Sequence, residues 1–494
     1  MNYYDQLQEL FNELTHIERV EALAHWDEAT MMPTGSGPAR AQTISTLSAI
    51  KHHKLTDPAV GQLITQAKEL TTLNPWQQRN LELIDHHYKN AICLPVKLVK
   101  AIAEKSTLCE QAWRTARERN DWSSFEPKLS NLFQLIKESA AIRSEIFNKP
   151  AYDIMLEDFS PGISQKTIEP IFNQLKLELP SLIDQIIEHQ SQQPLIPLIG
   201  NFPIDQQRAL GLTVMEHIGF DFNHGRLDTS HHPFCGGFND DVRITTRYAE
   251  DDFLSSLLAI CHETGHGCYE QGLPKEWALQ PIGKALGMSV HESQSLLIEM
   301  SACRSREFMH YLTPHAIKIF GKQRAFTADN LFHICTQVKK SLIRVEADEV
   351  TYPLHVILRY ELERDLFNGN ITIKELPDAW HEKMKSYLGL STQDNDKDGV
   401  MQDVHWPSAA FGYFPAYTMG RLIAAQLYNT ALTTHPEIPE RISQGDFQPL
   451  MNWLNKHVHS KGSSLTMDEL VIQATDEPLT AYYFLNSIKD RYLN

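Results

Sequence analysis

Phe253-Leu254-Ser255-Ser256-Leu257-Leu258-Ala259-Ile260-Cys261-His262-Glu263-Thr264-Gly265-His266 is an apolar run that closes on two histidines four apart. It holds no Pro and no Gly before Gly265, which predicts a largely buried helix continued by the histidines. Residues i and i+4 of a helix share a face, so both imidazoles can meet one metal ion at about 2.0–2.1 Å. Glu263, one position round, can reach a metal-bound water as a general base, the arrangement of an HExxH zinc hydrolase. A polar pair on a surface helix has the same spacing. In a buried helix, though, two imidazoles and a carboxylate are costly without partners. Gly265 costs roughly 1 kcal/mol against Ala inside a helix, which predicts another element packed beside the motif. Asp251 and Asp252 stand where the N-cap belongs.

Catalytic zinc commonly keeps three protein ligands and one water, so a third ligand is expected. Downstream, Met288-Ser289-Val290-His291-Glu292-Ser293-Gln294-Ser295-Leu296-Leu297-Ile298-Glu299 reads as a second helix with Ser289 as N-cap. Glu292 and Glu299 share one face of it. One can ligate while the other orients a ligating imidazole from outside, and the spacing leaves open which does which. Cys261 and Cys268 flank the histidines but lie a helical heptad apart rather than as Cys-x-x-Cys, and are not read as ligands.

The rest of the chain sets bounds. Its 494 residues, 42% hydrophobic, suffice for one large cleft-bearing domain or two to four ordinary ones. Forty-five basic residues against 62 acidic give a net charge of −17 with no basic cluster, which argues against nucleic acid and acidic membranes as partners. The first residues carry no basic stretch followed by an apolar core, and no segment is apolar enough to span a bilayer, so a cytosolic location is expected. The odd set Cys93, Cys109, Cys235, Cys261, Cys268, Cys303 and Cys335 reads as reduced thiols.

Helical spacing runs through residues 3–24, 37–51, 76–90, 96–119, 126–147, 166–190 and 204–218, interrupted at Pro33-Thr34-Gly35 and Pro161-Gly162. Strand-like alternation stands out at Asp241 to Tyr248, after the turn-rich Gly236-Gly237-Phe238-Asn239-Asp240. There Arg243 and Arg247 share a face opposite Val242 and Ile244, as a cleft wall or an edge strand would arrange them. A long helix-like run at 337–366, with a break expected at Pro353, carries a stripe of Arg344, Asp348, Tyr352, His355 and Arg359. In that helix Arg344 and Asp348 would form an i, i+4 ion pair. Asp394-Asn395-Asp396-Lys397-Asp398-Gly399 imitates the start of a calcium loop, but the position that needs a bidentate Glu is His405, so no calcium site is read there.

Several ordered blocks resemble the carboxypeptidase Taq family of metallocarboxypeptidases. They are His232-Pro233-Phe234, Asp241-Val242-Arg243-Ile244-Thr245, His262 to His266, His291-Glu292-Ser293-Gln294, Ile343-Arg344-Val345-Glu346-Ala347-Asp348, and Gly399-Val400-Met401-Gln402-Asp403-Val404-His405-Trp406. Trp26-Asp27 and Glu477-Pro478-Leu479 are also similar, so the likeness spans nearly the whole chain; Asp476 stands where the family leads one to expect Gly. The resemblance implies a mainly α-helical, two-lobed zinc-peptidase fold with a deep central cleft and a small β element beside the site, forming one catalytic domain over residues 1–494. It implies His262, His266 and Glu292 as metal ligands and Glu263 as the base; with Glu292 so assigned, the helix reading leaves Glu299 as the carboxylate behind a ligand. It also implies removal of carboxy-terminal residues with broad side-chain tolerance, zinc or cobalt as the metal, and a homodimer.

On this reading a donor besides the metal faces the oxyanion, since one such donor typically contributes about 10²–10³ in rate. Phe411-Gly412-Tyr413-Phe414-Pro415-Ala416-Tyr417 is similar to tyrosine-bearing loops of related helical peptidases, which makes Tyr417 the candidate and Tyr413 its substitute. An exopeptidase must also hold a free carboxylate, for which the planar fork of Arg is suited. Arg344 is the first choice and Arg243 the second, with His405 and His232 nearby. The alternative is a related oligopeptidase that cuts short peptides internally or in dipeptide steps and needs no clamp one residue from the metal.

Overall fold

The computed structural model describes residues 2–493, and its first half is a succession of helices. These are α1 (Tyr3–Thr30), α2 (Gly37–Leu55), α3 (Pro58–Lys68), α4 (Pro75–Ile92), α5 (Val96–Glu118), α6 (Trp122–Phe147), α7 (Ala151–Glu157), α8 (Gln165–Ser191) and α9 (Ile204–Ile218). Every helix expected from periodicity in this half forms; α7 is too short to give a clear period, while α3, which buries Val60, Ile64 and Ala67 at i, i+4, i+7, adds to those expected. Local chemistry fixes their starts. Asn2 and Asn74 each form a capping box, and Pro75 occupies the first turn of α4, where its missing N–H leaves no bond unmade.

Two apolar cores form. Tyr4, Leu7, Phe11 and Leu14 of α1 pack with Val60 and Ile64 of α3 and Leu81 and Ile84 of α4, while residues from Cys109 to Tyr492 share a second, much larger core. The smaller unit meets the segment at 279–284 through hydrogen bonds. Thr15 Oγ1 donates to Leu279 O (3.1 Å), Asn80 Nδ2 to Gln280 Oε1 (2.9 Å), and Gln280 Nε2 to Gln8 O (2.9 Å).

A three-stranded sheet follows α9: β1 (Gly225–Thr229), β2 (Phe234–Phe238) and β3 (Asp241–Thr246), in the order β1-β3-β2. β3 runs parallel to β1 and antiparallel to β2. The expected strand is therefore real but central, not an edge. Gly236 and Gly237, read as turn, belong to β2, and the hairpin turns at Asn239-Asp240. Gly237 has φ +101, and a Cβ there would lie 2.0 Å from Asp241 O, so the hairpin closes only with glycine.

Next come α10 (Phe253–Gly272), which carries the histidines, and α11 (Gly287–Leu296), which runs into a π-helical segment at Leu297–Ala302. Asp252 caps α10, accepting from Ser255 N. α11 begins two residues before the expected Ser289, at Gly287, whose φ of +70 and contact with Pro161 Cδ exclude a side chain. Ser289 instead bonds Ser160 Oγ at 2.7 Å. The chain continues through α12 (Arg306–Phe320), α13 (Ala328–Cys335), α14 (Tyr352–Asn368), α15 (Leu376–Leu388), α16 (Pro415–Thr434), α17 (Ile438–Ser443), α18 (Gln448–His457), α19 (Met467–Thr475) and α20 (Tyr482–Leu493). Asp476, φ +61, is the left-handed C-cap of α19, a position that favours glycine and tolerates Asp.

The single long helix expected at 337–366 does not form. The chain runs from a 3₁₀ turn at Arg344–Glu346 into α14, and Pro353 sits in the first turn of α14 instead of kinking a helix. Asp348 is the physical reason: its carboxylate accepts from the backbone N–H of Lys339, Val350 and Thr351, bonds that a continuous helix would not leave free. The polar stripe therefore spans a loop and a helix, and Arg344 has no ion pair with Asp348.

Candidate active site

α10 is buried along most of its length because its Phe253, Leu257, Ile260 and Cys261 face the main core. Gly265 lets α11 cross it closely: a Cβ there would lie 2.5 Å from Gln294 O and 2.6 Å from Ser295 Cα. Gly420 of α16 does the same on the far side of α11, where a Cβ would lie 2.7 Å from Glu292 Cβ. Squeezed between two glycines, α11 delivers Glu292 to the histidine pair.

One donor atom each from His262, His266 and Glu292 lie within 4.8 Å of one another. Glu292 Oε2 is 3.6 Å from His262 Nε2 and 3.7 Å from His266 Nε2. Ligands about 2.0–2.2 Å from a tetrahedral ion stand roughly 3.3–3.5 Å apart, so Glu292 is within a few tenths of an ångström of that spacing from each histidine, and a divalent metal fits with a further closing of the cluster. Two imidazoles and one carboxylate also suit zinc chemically.

Both Nδ1 atoms are engaged from outside. His262 Nδ1 meets Glu299 Oε2 at 3.0 Å, and Glu299 accepts in turn from Arg304 Nη2 at 2.6 Å. His266 Nδ1 lies 2.6 Å from His291 Nδ1, and His291 Nε2 lies 2.8 Å from Glu270 Oε1. The π-helical segment makes the first of these possible, since its wider turn rotates Glu299 from the row that Glu292 occupies. Burial disfavours charge on His262, but the Glu299 hydrogen bond and the Glu292 and Glu263 carboxylates outweigh it and raise its pKa to about 10. Burial together with the neighbouring His291 and His262 holds His266 well below the usual imidazole range. Glu263 is buried beside the pair, and burial pushes its carboxyl up to about 7 against the pull of His262.

A cavity of about 300 Å³ opens on these groups, lined among others by His262, Glu292, Glu299, Tyr352, Tyr417 and Arg421. Behind Tyr352 and Tyr417 lies Arg344, buried in the structure. Its Nε and Nη2 donate to Asp403 Oδ1 at 3.0 and 2.8 Å, Nη1 donates to Tyr352 Oη, and its guanidinium sits 5.1 Å from the Tyr417 ring. Arg359 donates to the other oxygen of Asp403 at 2.7 Å. Burial favours the neutral acid, but the two arginines dominate and hold the Asp403 carboxyl far below its usual range, leaving one positive charge in excess. Arg344 keeps two of its five N–H groups free.

His405 Nε2 lies 3.4 Å from Tyr417 Oη, its ring 5.3 Å from that of Tyr413, and burial lowers it to about 4, so it is neutral. Tyr413 and Tyr417 stand 5.2 Å apart by ring centroids. The two remaining expectations fall outside this cluster. Arg243 pairs with Asp241 at 3.0 Å and lies 4.4 Å over the Trp26 ring, because its strand face is covered by α1. His232 is exposed on the β1–β2 connection against His231. Sequence reasoning passed over Glu270, Arg304, Asp403 and Gly420. Glu270 had a signal, standing one helical turn beyond His266; Asp403 joins the site only through tertiary packing.

Comparison with known proteins agrees with this geometry. The profile of the Carboxypeptidase Taq (M32) metallopeptidases matches residues 6–492. Thermostable carboxypeptidase 1 of Thermus thermophilus is 35% identical over 99% of this chain and 98% of its own length. Carboxypeptidase 1 of Bacillus subtilis is 32% identical over 100% and 98%. Among solved structures, Trypanosoma cruzi metallocarboxypeptidase 1 superposes with a TM-score of 0.98 at 39% identity, covering 100% of this chain and 99% of that one. The M32 carboxypeptidase of Deinococcus radiodurans gives 0.95 at 33%, covering 100% of both. A match of this extent places the chain in a family: it belongs to the carboxypeptidase Taq (M32) metallopeptidases.

Proposed function

We propose that this metal-dependent carboxypeptidase works through His262, His266 and Glu292 as metal ligands, Glu263 as general base and Arg344 as the clamp on the substrate's terminal carboxylate. The observation that carries the reading is the convergence of two Nε2 atoms and one carboxylate oxygen on a single point, with both Nδ1 atoms tied off and Glu263 alongside. When bound there, a divalent metal such as zinc or cobalt polarises the scissile carbonyl and acidifies water toward a pKa of about 7. Glu263 takes the water's proton and later passes it to the departing amine nitrogen. Tyr417, with Tyr413 as its substitute, donates its hydroxyl hydrogen to the developing oxyanion. Neutral His405, with its hydrogen on Nε2, donates to the Tyr417 oxygen, which leaves the tyrosine's one hydroxyl hydrogen for the oxyanion.

Arg344 is favoured over Arg243 because its guanidinium touches Tyr352 and Tyr417, which line the cavity, and half of a shared counter-charge leaves it short of neutralisation. Arg243, engaged by Trp26 and Asp241, becomes a docking residue for α1, and His232 has no part in the reaction on this reading. The oligopeptidase alternative falls, since the matched family and the whole-length relatives are carboxypeptidases. Broad side-chain tolerance, a single catalytic domain of two lobes around one cleft, a homodimer and a cytosolic setting complete the proposal. Seven unpaired cysteines fit a reducing compartment. No helix among the described residues is long and apolar enough to cross a membrane.

The test compares one peptide as free acid and as carboxy-terminal amide. The enzyme is expected to prefer the acid strongly, and Arg344→Ala to reduce kcat/KM on the acid by the equivalent of about 2–5 kcal/mol, the usual loss for an unpaired buried carboxylate. Thermal melting of the variant separates lost recognition from lost folding. An undiminished preference for the acid in folded Arg344→Ala refutes the clamp.

A further inference from the structure

The two imidazoles of the donor cluster are backed in different ways. His262 leans directly on a carboxylate, Glu299, which Arg304 holds. His266 leans on another imidazole, and only through it on a carboxylate: His266 Nδ1 to His291 Nδ1 at 2.6 Å, then His291 Nε2 to Glu270 Oε1 at 2.8 Å. We propose that His291 and Glu270 are positioning residues of the metal centre, which together hold His266 in the one tautomer whose Nε2 lone pair faces Glu292 and His262.

Proton accounting gives this arrangement one solution in which His266 can ligate. A nitrogen–nitrogen contact of hydrogen-bond length needs one hydrogen between the two atoms. If it sits on His266 Nδ1, then His266 Nε2 is bare, His291 Nδ1 accepts, and His291 Nε2–H donates to an ionised Glu270. If it sits on His291 Nδ1, neutral His266 carries its hydrogen on Nε2, aimed at the donor cluster with no lone pair for a cation. The contact of His291 Nε2 with Glu270 would then need either a protonated carboxyl or a doubly protonated His291, and in both cases His266 is left unable to ligate. Only the first solution leaves His266 able to ligate while Glu270 stays charged.

Placement supports the same assignment. Glu270 follows His266 by one turn of α10, and His291 precedes Glu292 on α11, so the chain of contacts ties the two ligand-bearing helices together beside their closest crossing. The Tyr269 ring, 5.2 Å from that of His291, steadies the imidazole, and Tyr269 Oη accepts from Leu286 N at 3.1 Å just before α11. Glu270 and His291 border a second cavity of about 270 Å³, next to Gly237, Asn239 and Lys284. The carboxylate thus sits where water can reach it, and no charge has to be buried to complete the chain.

This inference rests on the reading of His266 as a ligand, and the experiment separates the two. Zinc dissociation constants are measured by competition with a chelator for the parent, His266→Ala, His291→Leu and His291→Asn, alongside melts of the metal-free proteins. Removing a residue behind a ligating histidine typically weakens metal binding about 10–100-fold, which is the loss expected for His291→Leu with little change in the metal-free melt. His291→Asn places an amide oxygen near the lost Nδ1 and is expected to recover most of the affinity. The visible absorption of the cobalt-loaded protein should shift in the Leu variant and return in the Asn variant. If His291→Leu fails to fold, Glu270→Leu, at the cavity edge, makes the same measurement. Parent-like zinc binding in His291→Leu, with zinc lost from His266→Ala, overturns the positioning role alone. Zinc retained by His266→Ala overturns the ligand reading and this proposal with it.

Discussion

As the proposed general base, Glu263 combines two requirements that pull against each other, since a base must be charged to accept a proton and burial disfavours that charge. The surroundings push its carboxyl up to about 7, into the range where acceptance and later release of a proton are both accessible. Glu263→Gln keeps the shape and removes the acceptor, so metal content is expected to stay at the parent level while turnover falls by about 10²–10⁴-fold. A loaded variant with a near-normal rate removes Glu263 from the mechanism. Glu292→Gln acts on the other function. An anionic ligand becomes a neutral amide, and metal is expected to be lost on dialysis at concentrations where the parent keeps it, read by elemental analysis. Full metal content in that variant transfers the third ligand to another carboxylate, with Glu299 next in reach.

The helices carry these residues to one point because of what is missing from them. At Gly265 an added methyl group meets backbone atoms of α11 at 2.5 and 2.6 Å, which no side-chain rotation can relieve. Gly265→Ala should gain roughly 1 kcal/mol in helix propensity. Overpacking costs typically about 1–3 kcal/mol and also moves α11, so a lower melting temperature and weaker metal retention are expected together. A more stable variant with unchanged zinc binding contradicts this packing account. How far the sequence could be read follows the same division between local and long-range causes. The histidine helix was legible from its apolar run, its Asp cap and the cost of Gly265, and the acidic helix from its register. The strand β2 was hidden because two of its five residues are glycine, and β1 because Leu227 is its only large apolar residue. The loop at 344–351 was hidden because helical periodicity continues through it while the Asp348 side chain takes the N–H groups a helix needs. Asp403 and the route from His266 to Glu270 through His291 depend on which helices cross, which no window of sequence contains.

Across the whole molecule, the last helix braces Glu349, which lines the cavity beside His262 and Glu292. Arg491 donates to Glu349 Oε2 at 2.9 Å and to Ser301 O, Tyr492 Oη donates to the same Glu349 oxygen, and Arg421 pairs with its other oxygen. Burial opposes the charge, but Arg421 and Arg491 lower the Glu349 carboxyl to about 2, below the unfolded value near 4.3. A depressed folded pKa stabilises the protein fully above the unfolded pKa and loses that contribution as pH falls toward the folded one. Glu349→Gln is therefore expected to lower the melting temperature at neutral pH, with a cost on the order of 3–5 kcal/mol for two arginines left without their carboxylate. The gap to the parent should narrow between roughly pH 5 and pH 3, and a gap independent of pH contradicts the assignment. The central claim, a metal-dependent carboxypeptidase acting through the His262, His266 and Glu292 cluster, is tested most directly by digesting one defined peptide and weighing the products over time. A ladder that loses single residues from the carboxyl end is predicted, abolished by a chelator, restored by zinc, and absent with Glu263→Gln. Internal fragments, or a ladder that persists in the chelator, would contradict it.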